Sequence, residues 1–408
     1  MKELRILLVN KFHYLNGGSE KYYFELGKLL KEKGNQVAYF SMEDERNIKT
    51  GDEEYFVKKI DLNKGSKLKA FDVIYSKENY KKMKEAINEF KPDIVHLNNF
   101  QRQLSASIVK ACNEMQVPVV FTAHDMQAIC PAISMLDAQK NICEECMNGK
   151  YINCIRKKCV KGSTLKSVLG AIEGFHYKNK KIYTDKISYI ITPSIFYKDK
   201  LKKEGFQENK LKAIHNFIDL KDYELETIDN GYALYFGRLA KEKGIINLIK
   251  AFSKLDKGSL YIAGDGPEKE KIKNMIKENN LENRVKMLGF LNPDQMKDAI
   301  RKSKFVVIPS IWYENCPYSV IETLAIGKPV VGADIAGIPE LVKNGISGLT
   351  YGYDDVSELA QKMNLLFENE SLANKYGKNA KKQAYEEYDK DIYYNELIEV
   401  YEKVRIRK

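Results

Sequence analysis

The sequence predicts an α/β protein built from two doubly wound domains in tandem. Short apolar runs alternate with helical stretches, the pattern of parallel strands covered on both faces. That pattern begins at Leu4 and begins again at Tyr232, after an acidic, polar stretch over residues 219–231 that reads as a linker. The 408 residues suit two cores of roughly 200 residues each.

Residues 4–9 read as a buried strand, and residues 10–18 as a loop ending in Gly17-Gly18. Ser19 is the expected N-cap of a helix that runs to about Lys33 and stops at Gly34. Residues 37–40, 93–97, 118–122 and 188–192 are further strands of the first half. The second half offers residues 232–236, 260–263, 285–288, 305–308 and 329–331. A helix is predicted over residues 317–326, with Pro317 at its first position and Gly327 as its stop. Residues 379–408 read as one or two amphipathic helices, with Asp389-Lys-Asp391 as a cap. Right-handed crossovers make such sheets parallel and Rossmann-like. Their ligands sit outside the carboxyl ends of the strands, so two domains predict a cleft where those edges face each other.

Composition narrows the function. Hydrophobic residues at 44% and aromatics at 11% exclude a disordered chain. No apolar run approaches the roughly 18 residues of a membrane span. The opening run is too short for a signal peptide, so the expected location is cytoplasmic. Basic residues number 67 against 56 acidic ones, a net charge of +11. Residues 140–212 hold 17 Lys or Arg against 7 Asp or Glu, nearly the whole excess. Nucleic acid, an anionic membrane or a phosphorylated substrate would each answer to that charge, as would a plain lysine-rich surface.

The strongest motif runs from Glu314 to Glu322. Glu314 falls in the loop ahead of the predicted helix, and Glu322 inside its second turn. Amides around Asn315, Cys316, Pro317, Tyr318 and Ser319 then lie at a helix start, where dipole and unpaired donors favour phosphate. The competing reading is two surface glutamates on an ordinary helix. Gly237-Arg238 and Lys243 follow a strand directly, which puts two cations at its carboxyl end. They can stabilise a leaving diphosphate, or form an ordinary basic loop. Gly17 and Gly18 permit close backbone approach to a ligand, or a plain turn. His124 also stands at a strand end, as a site residue or a structural histidine. Gly264-Asp-Gly266-Pro lacks the third glycine of a dinucleotide fingerprint and reads as a turn. No P-loop occurs, and no Asp-x-Asp stands where it would clamp a metal on a nucleotide sugar.

With these residues in view, the chain resembles the retaining family 4 glycosyltransferases of GT-B fold. The likeness covers nearly the whole length. It rests on Gly17-Gly18, His124, Asn216-Phe-Ile-Asp219, Gly237-Arg238 with Lys243, Gly264-Asp-Gly-Pro267 and Glu314-x7-Glu322. The one departure is Phe217, where members often carry glycine.

The resemblance implies domains at 1–218 and 219–388, with residues 389–408 crossing back to the first. It implies metal-independent transfer of a hexose from a UDP- or GDP-sugar, with no catalytic cofactor. Arg238 and Lys243 would bind the donor diphosphate, Glu314 the transferred sugar and Glu322 the ribose. Gly237 and residues 315–319 would complete the donor site, with residues 285–290 near the base. Gly18 would approach the diphosphate, and His124 would lie beside the reacting sugar. The implied role is in cell-surface polysaccharide biosynthesis. A same-fold epimerase or phosphorylase is the second reading, and a nucleic-acid-binding protein a third, of another class.

Residues 130–185 form a basic, cysteine-rich insertion. Cys143, Cys146, Cys154 and Cys159 have the ligand count of a structural zinc site, with Cys130 as a substitute. The alternative is a set of small reduced thiols. Residues 165–183 carry Leu165, Val168, Leu169, Ile172 and Phe175 among lysines, as an interfacial helix would. This region is expected to hold a lipid-linked glycan acceptor at the inner face of an anionic membrane, with no nucleic acid as partner.

Overall fold

The computed structural model describes residues 3–60 and 72–406. The chain divides into two compact units, one ending at His215 and resuming at Tyr393, the other spanning Asn216–Ile392.

The first unit is a seven-stranded parallel sheet in the order β3-β2-β1-β4-β5-β6-β7. Its strands are β1 Arg5–Val9, β2 Gln36–Met42, β3 Glu53–Val57, β4 Ile94–Leu97, β5 Val119–Thr122, β6 Tyr189–Thr192 and β7 Leu211–Ala213. The five strands expected here form as β1, β2, β4, β5 and β6. Four residues of β1 and all of β4 and β5 are buried, which is why they read as unbroken apolar runs. The two edge strands escaped notice. β3 is half covered and mixes glutamates with aromatics, and β7 is three residues long.

The helix after β1 is Gly18–Glu32, and Gly34 beyond it adopts φ +81°, open to glycine at little strain. Ser19 is not its N-cap. Gly17 takes that position in extended backbone. The Ser19 hydroxyl instead donates to Glu20 Oε1 (3.0 Å) and accepts from Asn99 Nδ2 (2.9 Å).

The second unit is a six-stranded parallel sheet in the order β10-β9-β8-β11-β12-β13. Its strands are β8 Tyr232–Phe236, β9 Ser259–Ala263, β10 Val285–Gly289, β11 Phe305–Ile308, β12 Val330–Asp334 and β13 Gly348–Gly352. β13 lay unseen because glycines bound it. Gly348 is required, since a Cβ there would stand 2.1 Å from the Val330 carbonyl. The helix Tyr318–Ile326 forms as expected and ends at Gly327, φ +87°. Pro317 is its N-cap rather than its first helical residue, because its ψ of 123° is extended.

Residues 219–231 are not a free linker. Leu220 and Tyr223 are buried in a 3-10 turn, Leu220–Tyr223, and Ile228 and Asn230 donate to Arg301 and Lys302 carbonyls. The final helix, Lys390–Ile406, starts where Asp389 accepts from the Asp391 amide. From Tyr393 onward it packs within the first unit. Tyr401 meets His96 Nδ1 at 2.6 Å, Tyr393 meets the Tyr22 hydroxyl, and Asn35 Nδ2 donates to the Tyr394 hydroxyl.

Candidate active site

Both sheets reverse their winding once, between β1 and β4 and between β8 and β11. At such a reversal, neighbouring loops leave in opposite directions and open a crevice at the carboxyl ends of the strands. Most of the expected site residues lie on loops that flank these two places.

In the second unit, the β8 loop carries Gly237, Arg238 and Lys243, and the β11 loop carries Glu314. The Lys243 ammonium stands 2.6 Å from Glu314 Oε1. Ser310 Oγ (2.8 Å) and Trp312 Nε1 (2.9 Å) donate to the same oxygen, and the ammonium lies 5.2 Å from the Trp312 ring centroid. Glu314 is buried. Burial alone would push its carboxyl up. The Lys243 charge and the donors from Lys243, Trp312 and Ser310 outweigh it and hold the group below its ordinary value. Glu314 is therefore an ionised acceptor at neutral pH and cannot serve as a general acid. Ser310 and the chain's single tryptophan were missed as site residues. The signal was there, since Trp312 stands two positions from Glu314.

Glycines bring these loops together. A Cβ on Gly244, at φ +70°, would stand 1.6 Å from the Pro309 carbonyl. A Cβ on Gly264 would stand 2.0 Å from the Gly237 carbonyl, and one on Gly266 2.4 Å from that of Leu239. Gly264-Asp-Gly266 is thus more than a turn after β9: it lets the β8 loop lie directly on its neighbour.

Arg238 is free of the Lys243–Glu314 pair. Its side chain is 65% exposed, with Glu242 at 3.8 Å. Glu322 accepts from the Tyr223 hydroxyl at 3.2 Å. Cys316 is buried, with its carbonyl accepting from Asn216 Nδ2 (2.8 Å) and its sulfur from the Asn216 amide (3.3 Å). Asn216 of the junction motif thereby anchors the start of Tyr318–Ile326. Pro317, the N-cap at that start, makes no side-chain cap bond.

In the first unit, His124 follows β5, and Gly17-Gly18 open the helix after β1. His124 packs on Tyr22 with ring centroids 4.6 Å apart, and its Nε2 lies 2.9 Å from Asn98 Oδ1. Asn98 Nδ2 donates to the Val9 carbonyl (3.3 Å), so its oxygen faces the imidazole and Nε2 is the donor. Nδ1 is then the acceptor nitrogen. Burial holds the ring neutral, with its pKa down at about 3.

No zinc site is shown at the cysteines. Among the described residues, no group of three or more His, Cys, Asp or Glu is disposed to hold a metal. Cys146 and Cys154 are buried with Tyr151, Val160 and Ala171, and Cys159 and Phe175 pack against that cluster. Burial pushes the Cys146 thiol up to about 12, whereas the hydrogen bond from Cys154 lowers the pKa of Cys159. The nearby helix Thr164–Asn179 is only in part the apolar surface expected. Leu165 is 78% and Ile172 47% exposed, while Phe175 turns into the cysteine cluster.

Two parallel sheets, each with its chemistry at a winding reversal, define a GT-B architecture. The model for Glycosyltransferase Family 4 matches residues 16–222, about half of the chain, and that for glycosyl transferases group 1 matches residues 221–383. The chain belongs to Glycosyltransferase Family 4. It spans about half the length of the first curated relatives it matches. An uncharacterized 42.6 kDa protein in the cps region of Klebsiella pneumoniae is 28% identical, over 87% of this chain and 91% of its own length. An amylovoran biosynthesis glycosyltransferase of Erwinia amylovora is 26% identical, over 52% of this chain and 55% of its own. Among solved structures, Anabaena HepE in complex with UDP and glucose has a TM-score of 0.70 at 17% identity, covering 98% of this chain and 100% of HepE.

Proposed function

We propose that this protein is a retaining, metal-independent glycosyltransferase. It moves a hexose from a UDP- or GDP-sugar to a lipid-linked glycan acceptor in cell-surface polysaccharide biosynthesis. The supporting observation is the Lys243–Glu314 pair at the second unit's winding reversal. The Erwinia relative's role in amylovoran biosynthesis and the UDP held by HepE point the same way.

An incoming diphosphate competes with Glu314 for Lys243 and recruits the exposed Arg238. Glu314 stays ionised on its Ser310 and Trp312 donors and accepts hydrogen bonds from hydroxyls of the transferred sugar. Gly237 and residues 315–319 complete the phosphate cradle, Glu322 takes the ribose, and the exposed ring of Phe290 at the end of β10 lies near the base. The bond from the sugar's anomeric carbon to the diphosphate oxygen breaks. The acceptor hydroxyl oxygen bonds to that carbon on the same face, and its proton passes to the departing diphosphate. His124 receives a hydrogen bond beside the reacting sugar, and Gly17-Gly18 permit close approach there. Exposed Leu165 and Ile172, set among lysines, suit peripheral contact with the inner face of an anionic membrane.

Calorimetry with UDP, GDP and their hexose derivatives tests the donor assignment. Ligand at 100 times its Kd adds about 2.7 kcal/mol to stability. Wild-type protein that binds neither nucleotide overturns the reading. Failure to co-sediment with anionic vesicles at low salt overturns the membrane part alone.

A further inference from the structure

The first unit contains a cavity of about 400 Å³ that the donor chemistry leaves unused. It lies at the β1/β4 reversal. Lys11 enters it two residues after β1, Arg102 from the loop after β4, and Gln127 from the loop after β5. The two flanking loops are stitched together: the Lys11 amide donates to the Asn99 carbonyl (2.8 Å), and the Asn99 amide to Asn10 Oδ1 (3.0 Å). Its position is that of a ligand crevice in an open α/β sheet.

The lining is strongly cationic. Lys11, Arg46, Lys59, Arg102, Lys161 and Lys166 all contribute. Among the described residues, Glu173 is the only carboxylate on the wall. Asp44 stands behind Arg46 and Lys59, at 2.8 Å and 2.7 Å. Glu173 holds Arg102 in place, accepting from its amide (3.0 Å) with the guanidinium Nε at 3.5 Å, while a second guanidinium nitrogen donates to the Pro131 carbonyl (2.7 Å). Lys11 and Lys166 have no side-chain hydrogen bond or ion pair with any described residue. Burial lowers the Lys11 pKa, against the opposing field of Asp125. The Phe12 ring lies 5.6 Å from the Lys11 ammonium, but no ion pair with a described residue offsets its desolvation, and a bound anion would supply one. Phe12, Tyr14 and Leu169 supply apolar wall beside the charge.

We propose that this cavity is an acceptor-specificity subsite that selects an acceptor bearing a carboxylate or phosphate, held by Lys11 and Arg102. The ligand class is a sugar acid or a sugar phosphate, with its charge on the two cations. The assignment rests on the transferase reading for the word acceptor, and on the cavity alone for the anion. Gln127, on the cavity wall, and His124 both lie on the segment that follows β5.

Calorimetry on the full chain tests it with glucuronate, glucose 6-phosphate and methyl glucoside as probes, and UDP and GDP titrated separately. Wild type is expected to bind one of the acids, and methyl glucoside about tenfold more weakly or not at all. Binding of glucuronate alone identifies a carboxylate, and of glucose 6-phosphate alone a phosphate. Lys11→Met and Arg102→Gln are each expected to weaken acid binding about tenfold with nucleotide affinity unchanged. Arg238→Ala should leave acid binding intact, which separates this site from the donor loop. Should either cavity variant fail to fold, Lys166→Gln carries the same test with an expected loss of about threefold. The subsite is overturned if wild type binds neither acid, binds methyl glucoside equally well, or loses nothing in these variants. Nucleotide binding without acid binding removes the subsite only, whereas acid binding without nucleotide binding removes the transferase reading and leaves the anion site.

Discussion

Lys243 and Glu314 lie 71 residues apart in sequence and 2.6 Å apart in space, on the loops after two hydrogen-bonded strands, β8 and β11. In the proposed reaction a diphosphate would give the lysine a second anion, and the carboxylate would keep two neutral donors, Ser310 and Trp312.

Lys243→Ala is expected to slow transfer by orders of magnitude, and to act on stability as well. It strands a buried carboxylate, a loss of about 3–5 kcal/mol. The double variant Lys243→Met/Glu314→Gln should recover most of that stability and none of the activity. The pH dependence changes sign between the proteins. In wild type the folded pKa of Glu314 is depressed, so its contribution is present above the unfolded value and lost as pH falls through the folded one. In Lys243→Ala burial dominates and raises the folded pKa, so stability is lost as pH rises instead. Urea titrations at pH 3 to 7 read both slopes.

The buried centres of both sheets were legible because parallel strands covered on two faces leave an uninterrupted apolar record, as in β4, β5 and β11. Edge strands β3 and β13 left no such record, since one mixes charge with aromatics and the other is bounded by glycine. Lys243 and Glu314 were readable as members of strand-end loops, but their pairing was not. It depends on how closely Gly244 lets one loop approach the other, a tertiary fact. The spacing of Cys143, Cys146, Cys154 and Cys159 suggested that the thiols gather, and Cys154 does hydrogen-bond Cys159 beside Cys146. Lys11 and Arg102 carried no signal, because a lysine in a loop is ordinary until burial removes its water.

Gly244→Ala should damage the proposed donor site without touching any ligand. The added methyl would meet the Pro309 carbonyl at 1.6 Å, so the β8 and β11 loops must separate and carry Lys243 from Glu314. The expected loss is about 3 kcal/mol or more, with weakened nucleotide binding. Gly205→Ala is the control. It has φ +85° and nothing within 4 Å, and should lose only about 1–2 kcal/mol with nucleotide affinity unchanged.

Chelation tests the cysteine cluster. With the thiols packed against Tyr151 and Val160, EDTA under reducing conditions should leave the melting temperature within about 1 °C. Cys154→Ala should behave as a small cavity in an apolar cluster, losing about 1–2 kcal/mol. A melting temperature that collapses on chelation would return these residues to the role of metal ligands.

The network behind His124 makes the first unit acid-sensitive. His96 is fully buried, with Nδ1 on the Tyr401 hydroxyl (2.6 Å) and Nε2 on Thr122 Oγ1 (2.8 Å), and Thr122 reaches Tyr22 at 3.2 Å. Burial holds the pKa of His96, like that of His124, down at about 3. Above about pH 6.5 both rings are neutral in folded and unfolded chains, and neither affects stability. As pH falls, the unfolded chain takes up protons that the folded one refuses. Stability therefore declines from pH 6.5 toward 3, by on the order of 4–5 kcal/mol for each histidine. His96→Gln keeps polar partners for Tyr401 and Thr122 and should flatten that decline by about half. Tyr401→Phe should leave the slope in place and lower stability at every pH by about 1–3 kcal/mol, the loss of one buried hydrogen bond between the final helix and the sheet. A wild-type protein equally stable at pH 4 and pH 7 would mean these rings are not held neutral at all.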